Sequence, residues 1–357
     1  MFQDIQIVMD SSWIALLGCT LGSFALAFTL ARSPALGADL PGTGVQQCHV
    51  RPTSRLGGLG IFLALGVACI AIANREQQAI LATILVAGAP ALAIGLVEDL
   101  TRRVGVAARL ASTIAAGAIA VLWSDTQLSS VHVAPLDALL SHAAIAALFT
   151  AFAVAGIANA MNIIDGCHGL AGGTATICLL GLATIAAQAG DFPLAFAAVA
   201  MAAAVGGFLI VNFPFGRVFL GDGGAYFTGF AIGWIAVLLP SRNPSVSPWA
   251  SLLICAYPVI EVLYSVARRA ARRVPAVAAD RDHLHSIVAR RIAPAWLPGA
   301  RPDLHNAATS VAMWVLAGVP AVTAVIAWRH TGWLMMGTAT AFMLYHCLYQ
   351  RVVRHEQ

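Results

Sequence analysis

Eleven windows of about twenty predominantly apolar residues follow one another along this chain, at roughly 13–31, 56–73, 79–97, 105–123, 139–157, 167–188, 193–211, 218–239, 249–266, 309–327 and 331–349. A window of that length crosses a bilayer as a helix, because in hydrocarbon every backbone N–H and C=O must find its partner within the segment. Only 10% of the 357 residues are charged, against roughly 25% in soluble domains. These features predict an all-α, polytopic integral membrane protein with about 11 transmembrane helices, a single domain over residues 1–357 with a basic loop at about 267–308. The sixth and eighth windows are rich in glycine and are expected to be broken or partly re-entrant where their backbone lines a cavity. No basic stretch precedes the first window, which is read as a retained helix and not as a cleaved signal.

Arginine placement orients the helices. All 20 basic residues are Arg. One set of connecting segments holds Arg32, Arg51, Arg55, Arg102, Arg103, Arg109, Arg217, eight Arg between 268 and 301, Arg351 and Arg354; the other holds Arg75, Arg242 and Arg329. The positive-inside rule then puts the N-terminus outside, the C-terminus in the cytoplasm and every unusual polar motif on the cytoplasmic side. Without Lys, a phosphate clamp must be built from Arg, His, backbone N–H or a metal. The seven Cys are scattered without a C-x-x-C pair and read as small core residues, not as a disulfide frame or zinc site. No nucleic-acid partner is expected.

Five stretches carry candidate chemistry. Arg51 and Arg55 lie in HVRPTSRLGG, a turn whose glycines allow close approach to a ligand and whose arginines suit phosphate; contact with anionic lipid head groups is the alternative. Glu98 and Asp99 form an acidic pair suited to a hard cation or to base chemistry, or else to pairing with Arg102 and Arg103. Asn159, Asn162 and Asp165 are three residues apart, so a helical turn lines them along one flank; capping of a helix end is the plainer reading. Asp222 stands at the start of an apolar helix among Gly221, Gly223 and Gly224, as a ligand-site acid or a helix cap. The D-R-D-H-L-H run offers Arg281, His283 and His285 as donors to a pyrophosphate or as proton-transfer groups. Glu261, within the ninth window, is expected to face the bundle and steady a neighbouring polar group.

In this order the five stretches resemble the polyprenyl-phosphate N-acetylhexosamine-1-phosphate transferases, on the WecA-like branch of a family that also includes MraY. The resemblance runs from about His49 to Arg291 and rests on Glu98-Asp99, N-x-x-N-x-x-D-G at Asn159, Asn162, Asp165 and Gly166, the F-x-G-D stretch ending at Asp222, and the histidine loop. It implies transfer of a sugar 1-phosphate from a UDP-sugar to a membrane polyprenyl phosphate such as undecaprenyl phosphate, releasing UMP, for cell-envelope polysaccharide synthesis. It further implies a multi-pass protein of the bacterial inner membrane, in contact with membrane lipids, with room for a homodimer. Mg2+, or Mn2+ in its place, is the implied cofactor, with Asp222 and Asp165 as ligands. Asp99, Glu98, Asp165, His283 and His285 are the implied catalytic residues, and Arg51, Arg55, Asn159, Asn162, His168 and Arg281 the implied substrate contacts.

This chain departs from the family pattern in three places: Glu98 where Asp is common, His168 where the loop usually carries a second acid, and Ser286 where a further His often stands. These departures keep a low-activity or repurposed relative open as a reading. A transporter would gather its polar residues at the bilayer midplane, and a lipid-binding scaffold has no use for Asp99, Asp165 and Asp222 together.

Overall fold

Helices form where the apolar windows run, and polar caps and glycines set their ends. The computed structural model describes residues 2–33, 37–39, 52–273 and 282–354. The long helices are α1 (Phe2–Arg32), α2 (Gly57–Ala71), α3 (Arg75–Thr101) and α4 (Val106–Ser124), then, after the short α5 (Ala134–Leu140), α6 (Ala143–Ile164), α7 (Leu170–Ala189), α8 (Phe192–Asn212) and α9 (Gly221–Arg242). They continue as α10 (Pro248–Ile254) and α11 (Ala256–Ala271), the short α12 (Leu284–Ile287), a π-helical turn (Val288–Ile292), α13 (Ala293–Trp296), α14 (Pro302–Ala327) and α15 (Thr331–Arg354). The caps follow local chemistry. Asn74 Oδ1 accepts the Glu76 and Gln77 N–H groups at 3.0 and 3.1 Å to start α3, and Gly190, at φ +86°, ends α7 in the left-handed conformation.

The chain is an all-α polytopic membrane protein. Among the described residues eight helices are long and apolar enough to cross a membrane, and the bent pair α10 and α11 gives a ninth. A count of eleven requires α2, at 15 residues, and α15 as well. The expected breaks in the sixth and eighth windows are not where the structure puts one: α7 and α9 are continuous, and the break falls in the ninth window, where α10 and α11 meet at 76°. The cause is Pro258, which has no N–H to offer the carbonyl four residues back. That carbonyl, of Ile254, accepts instead from Cys178 Sγ at 3.4 Å.

Helix α9 is the axis of the bundle, with 94% of its apolar window buried. It packs on α3 and α6, with α2, α4, α7, α8 and α10 also against it. Glycine makes the closest of these contacts: a Cβ on Gly58 would stand 2.0 Å from Gly224 Cα, and one on Gly95 would stand 2.3 Å from the Gly223 nitrogen. Two neighbouring segments therefore meet the N-terminus of α9 backbone to backbone. The pairing of Phe219 N–H with Ser54 O at 2.8 Å, and of Gly57 and Gly58 N–H with Phe219 and Leu220 O at 3.0 Å each, fixes the register.

Candidate functional site

That register delivers Arg55 and Asp99 to the first turn of α9, where Asp222 stands. Leu220, the residue before α9, gives no side-chain cap, and Asp99 supplies one from α3. Its two oxygens accept the N–H groups of Asp222 and Gly223 at 2.9 and 3.0 Å, so a carboxylate occupies the positive end of the helix. Arg55 Nε lies 3.2 Å from Asp99, whose side chain is fully enclosed. The second reach of Arg55, through Nη2, is 3.0 Å to Asp222 Oδ1, and Arg109 from α4 meets Asp222 Oδ2 at 2.8 Å. Asp222 thus bridges two guanidinium groups.

Asp165 caps α6 and stands within electrostatic reach of Arg55, Asp222 and Asp99. Its carboxylate accepts no hydrogen bond from a described residue. Enclosure by protein pushes its pKa up to about 7; Arg55 works against the rise, and Asp222 and Asp99 add to it. The next residue, Gly166, abuts His285: a Cβ there would stand 2.6 Å from His285 Nε2. Through that contact the histidine stretch joins the carboxylates. His283 and His285 stack nearly parallel, with ring centroids 5.5 Å apart and planes 8° from each other. Glu261 Oε1 takes His283 Nδ1 at 3.1 Å and the Leu284 N–H at 3.0 Å, as expected of a carboxylate facing the bundle.

Several expected site residues have structural partners. Glu98 Oε2 accepts the Val104 N–H at 2.8 Å and closes the turn between α3 and α4, so it secures the loop beside the site instead of adding a second open carboxylate. Asn159 Nδ2 donates to Thr113 Oγ1 at 2.9 Å and to Ala155 O at 2.8 Å, tying α6 to α4. Asn162 is half-buried. His168 is 5% exposed: its N–H donates to Asn306 Oδ1 at 2.7 Å, its Nδ1 lies 3.3 Å from Pro214 O, and its ring stacks on Phe219 at 5.9 Å. Where an acid was expected to face a ligand, this histidine packs into the turn before α9. Arg51 and Arg281 lie outside the described residues.

Arg109 was visible in the sequence only as a topological charge. The available signal was an Arg four residues into an apolar helix, which calls for an acidic partner, but that partner is 113 positions away. Asn212 and Asn306 were equally silent. Asn212 Oδ1 accepts the Gly169 N–H at 2.6 Å while its Nδ2 donates to Val218 O at 2.7 Å, so these two amides hold the loop after Asp165.

The donor set suits a hard divalent cation. All candidates are carboxylate oxygens, and among the described residues no group of three or more His, Cys, Asp or Glu is placed to hold a metal ion. A Mg2+ ion is ordinarily held by only one or two carboxylates, with phosphate and water completing its shell. Asp165 has its acceptor capacity open and Asp222 shares its own with Arg side chains, whereas Asp99 is committed to α9.

Comparison with known proteins matches residues 81–240 to the family described as glycosyl transferase family 4. That stretch contains Asp99, Arg109, Asp165 and Asp222. The chain is 26% identical over 242 residues to a protein of Bacillus subtilis named probable undecaprenyl-phosphate N-acetylglucosaminyl 1-phosphate transferase, covering 67% of this chain and 66% of that one. It is 28% identical over 271 residues to a Mycobacterium tuberculosis decaprenyl-phosphate N-acetylglucosaminephosphotransferase, covering 66% and 65%. Over 146 residues it is 32% identical to the Escherichia coli undecaprenyl-phosphate alpha-N-acetylglucosaminyl 1-phosphate transferase, 40% of each chain. The matches thus span just under two thirds of the first two relatives' own length, and less of the third.

Proposed function

We propose, for a chain whose residues 81–240 belong to glycosyl transferase family 4, that it transfers a sugar 1-phosphate from a UDP-sugar to a polyprenyl phosphate in the membrane and releases UMP. N-acetylglucosamine 1-phosphate is the donor group that the relatives' names support. The observation that carries this reading is Asp222, set on the first turn of the buried axis between Arg55 and Arg109, with the open carboxylate of Asp165 within electrostatic reach.

In the transfer, an oxygen of the lipid phosphate bonds to the β-phosphorus of the nucleotide sugar, and the bond from that phosphorus to the oxygen shared with the α-phosphate breaks. UMP leaves with that oxygen. Positioning and charge stabilisation dominate such chemistry. Asp222 and Asp165 would hold Mg2+, or Mn2+, which when bound neutralises phosphate charge. Arg55 and Arg109 offer planar donors to phosphate oxygens as Asp222 exchanges its partners. Asp99 keeps the first turn of α9 and the Arg55 guanidinium in place. His285, against Gly166, and His283, stacked on it, would donate to the pyrophosphate.

The Arg distribution supports this end of the bundle facing the cytoplasm, where nucleotide sugars are available; the eleven spans rest on the apolar windows, and the bacterial inner membrane on the bacterial relatives. The test is UMP release by purified protein given a panel of UDP-sugars, undecaprenyl phosphate and either Mg2+ or Mn2+. Release with at least one donor, abolished by chelation, is expected; a panel giving no UMP with either cation would refute the assignment.

A further inference from the structure

Gly169 stands just before α7 and has no side chain with which to cap it. The backbone groups of this residue and of His168 are taken up instead by side chains from two other helices. His168 N–H donates to Asn306 Oδ1 on α14 at 2.7 Å, and Gly169 N–H to Asn212 Oδ1 on α8 at 2.6 Å. Gly169 O accepts the Gly173 N–H at 2.7 Å and, from α14, Trp314 Nε1 at 3.2 Å. The peptide that leaves Asp165 is therefore held by residues 43 to 145 positions away. Pairing of some kind is required of any buried backbone group; what distinguishes this case is what the same side chains touch next.

Trp314 reaches the approach to Asp222 as well. Its ring lies 5.1 Å from that of Phe213, and it seats in a notch of α7, where a Cβ on Gly173 would stand 2.1 Å from Trp314 Cε2. Phe213 in turn fills the space beside Gly169, where a Cβ would stand 2.6 Å from Phe213 Cδ2. His168, held by Asn306, stacks on Phe219 at 5.9 Å, three residues before Asp222. Asn306 and Trp314 lie two turns apart on the same side of α14. One face of this helix thus touches both the segment leaving Asp165 and the turn leading to Asp222. Asn306 is 4% exposed, and packing there would be met by an apolar side chain of the same volume; what the amide adds is the acceptor for His168.

We propose that α14 sets the placement of Asp165 relative to Asp222, with Asn306 and Trp314 as positioning residues that fix the His168–Gly169 peptide and brace it on the turn before α9. Helix α14 lies outside residues 81–240, the stretch that matches the family, so this brace comes from a part of the chain to which the match gives no role. The proposal rests on the phosphotransfer reading for its effect on the reaction, and on these contacts for its geometry.

The experiment compares Asn306→Leu, which removes the acceptor at nearly constant volume, and Trp314→Phe, which removes the indole N–H and keeps a ring against Gly173 and Phe213. Hydrogen exchange of the peptide covering 165–173 is read by mass spectrometry on the intact chain in detergent. Mn2+ affinity is read from the electron paramagnetic resonance of the free ion, and UMP release is titrated with Mg2+ in parallel. Each variant is expected to exchange about tenfold faster in that peptide. Each is also expected to bind Mn2+ about tenfold more weakly, with the Mg2+ concentration for half-maximal UMP release raised in step. Ala324→Val, an overpacking change at a buried site ten residues beyond Trp314, controls for lost stability: it should lower the melting temperature and leave exchange and metal affinity at their wild-type values. Unchanged exchange in both variants overturns the proposal, as does faster exchange with wild-type Mn2+ affinity, the mark of a purely structural brace. Should Asn306→Leu fail to fold, Trp314→Phe decides on the same readouts. Absence of UMP release by the wild type would refute the proposed reaction and leave exchange and Mn2+ binding to judge α14.

Discussion

The two ends of α9 both carry ion clusters, and they are built to opposite ends. At the C-terminal end Arg242 donates to both oxygens of Asp191, at 2.7 and 3.0 Å, and to Glu76 at 2.6 Å. Asn243 adds 3.1 Å to Asp191, whose other oxygen also caps α8 by accepting the Leu194 N–H at 3.2 Å. Both oxygens of Asp191 are used. Burial raises the Asp191 pKa, but Arg242, Asn243 and the Leu194 N–H outweigh it and hold the carboxyl below its ordinary value. At the N-terminal end Asp165 is pushed up to about 7. The ion pairs themselves do not mark the site; what does is a carboxylate left short of donors among arginines that already have partners to exchange.

That contrast can be broken experimentally, and Asp222→Asn has the largest expected effect. It removes one charge between Arg55 and Arg109 and should lower turnover about 100- to 1,000-fold, with loss of the divalent-cation requirement. Thermal melting in detergent should show the fold intact, because Asp99 and not Asp222 caps α9. Near-normal turnover would return Asp222 to the rank of a structural ion pair.

Arg242→Ala should do the reverse. It leaves buried Asp191 without its principal donor and should cost about 1 to 3 kcal/mol of stability, less than a fully buried pair because Arg242 is partly exposed. The sign follows from the lowered pKa: the contribution is present above the unfolded-state value and disappears as pH falls through the folded-state one. UMP release at low temperature should stay within about twofold of wild type. A large loss of rate would mean that the two ends of α9 are coupled.

His168→Asp probes the boundary of the site. The new carboxylate meets Pro214 O and loses the stack on Phe219, so the apparent affinity for UDP-sugar should change about tenfold, about 1.4 kcal/mol. Rate curves identical to wild type would make the turn before α9 irrelevant to the nucleotide.

Asp165→Asn is the smallest change and the most discriminating in sign. With a folded-state pKa above the unfolded one, ionisation of Asp165 costs the folded protein stability as pH rises from about 4 to about 7. Asparagine removes that cost, so the variant should melt higher than wild type at pH 8, by on the order of 1 kcal/mol, and no higher at pH 4, while turnover falls. A lower melting temperature at pH 8 would show Asp165 to be as fully satisfied as Asp191.

Much of this was legible in sequence where the signal is local. Every apolar window lies on a helix because bilayer length and backbone hydrogen bonding leave little alternative. Asp222 stood out because an acid at the start of an apolar helix demands a reason. Pairings across the bundle were not legible. Arg109 and Asp222 meet through α4 and α9, and nothing near Arg109 names its partner. Glu98 and Asp99 are adjacent in sequence yet face different tasks, since successive helical residues point about 100° apart: Asp99 turns to the α9 amides and Glu98 to its own loop. The break at Cys255 depended on Pro258, a residue inside a window that hydropathy reads as uninterrupted.

The central claim is that this cluster passes a phosphosugar, not a bare sugar, to lipid. It is tested most directly with UDP-N-acetylglucosamine carrying phosphorus-32 in the β-phosphate, incubated with undecaprenyl phosphate, Mg2+ and either wild-type protein or Asp222→Asn. The expected result is label extracted with the lipid and unlabelled UMP in the water phase for the wild type, and neither for the variant. Label remaining in water as UDP while sugar enters the lipid, or transfer at the same rate by Asp222→Asn, would contradict it.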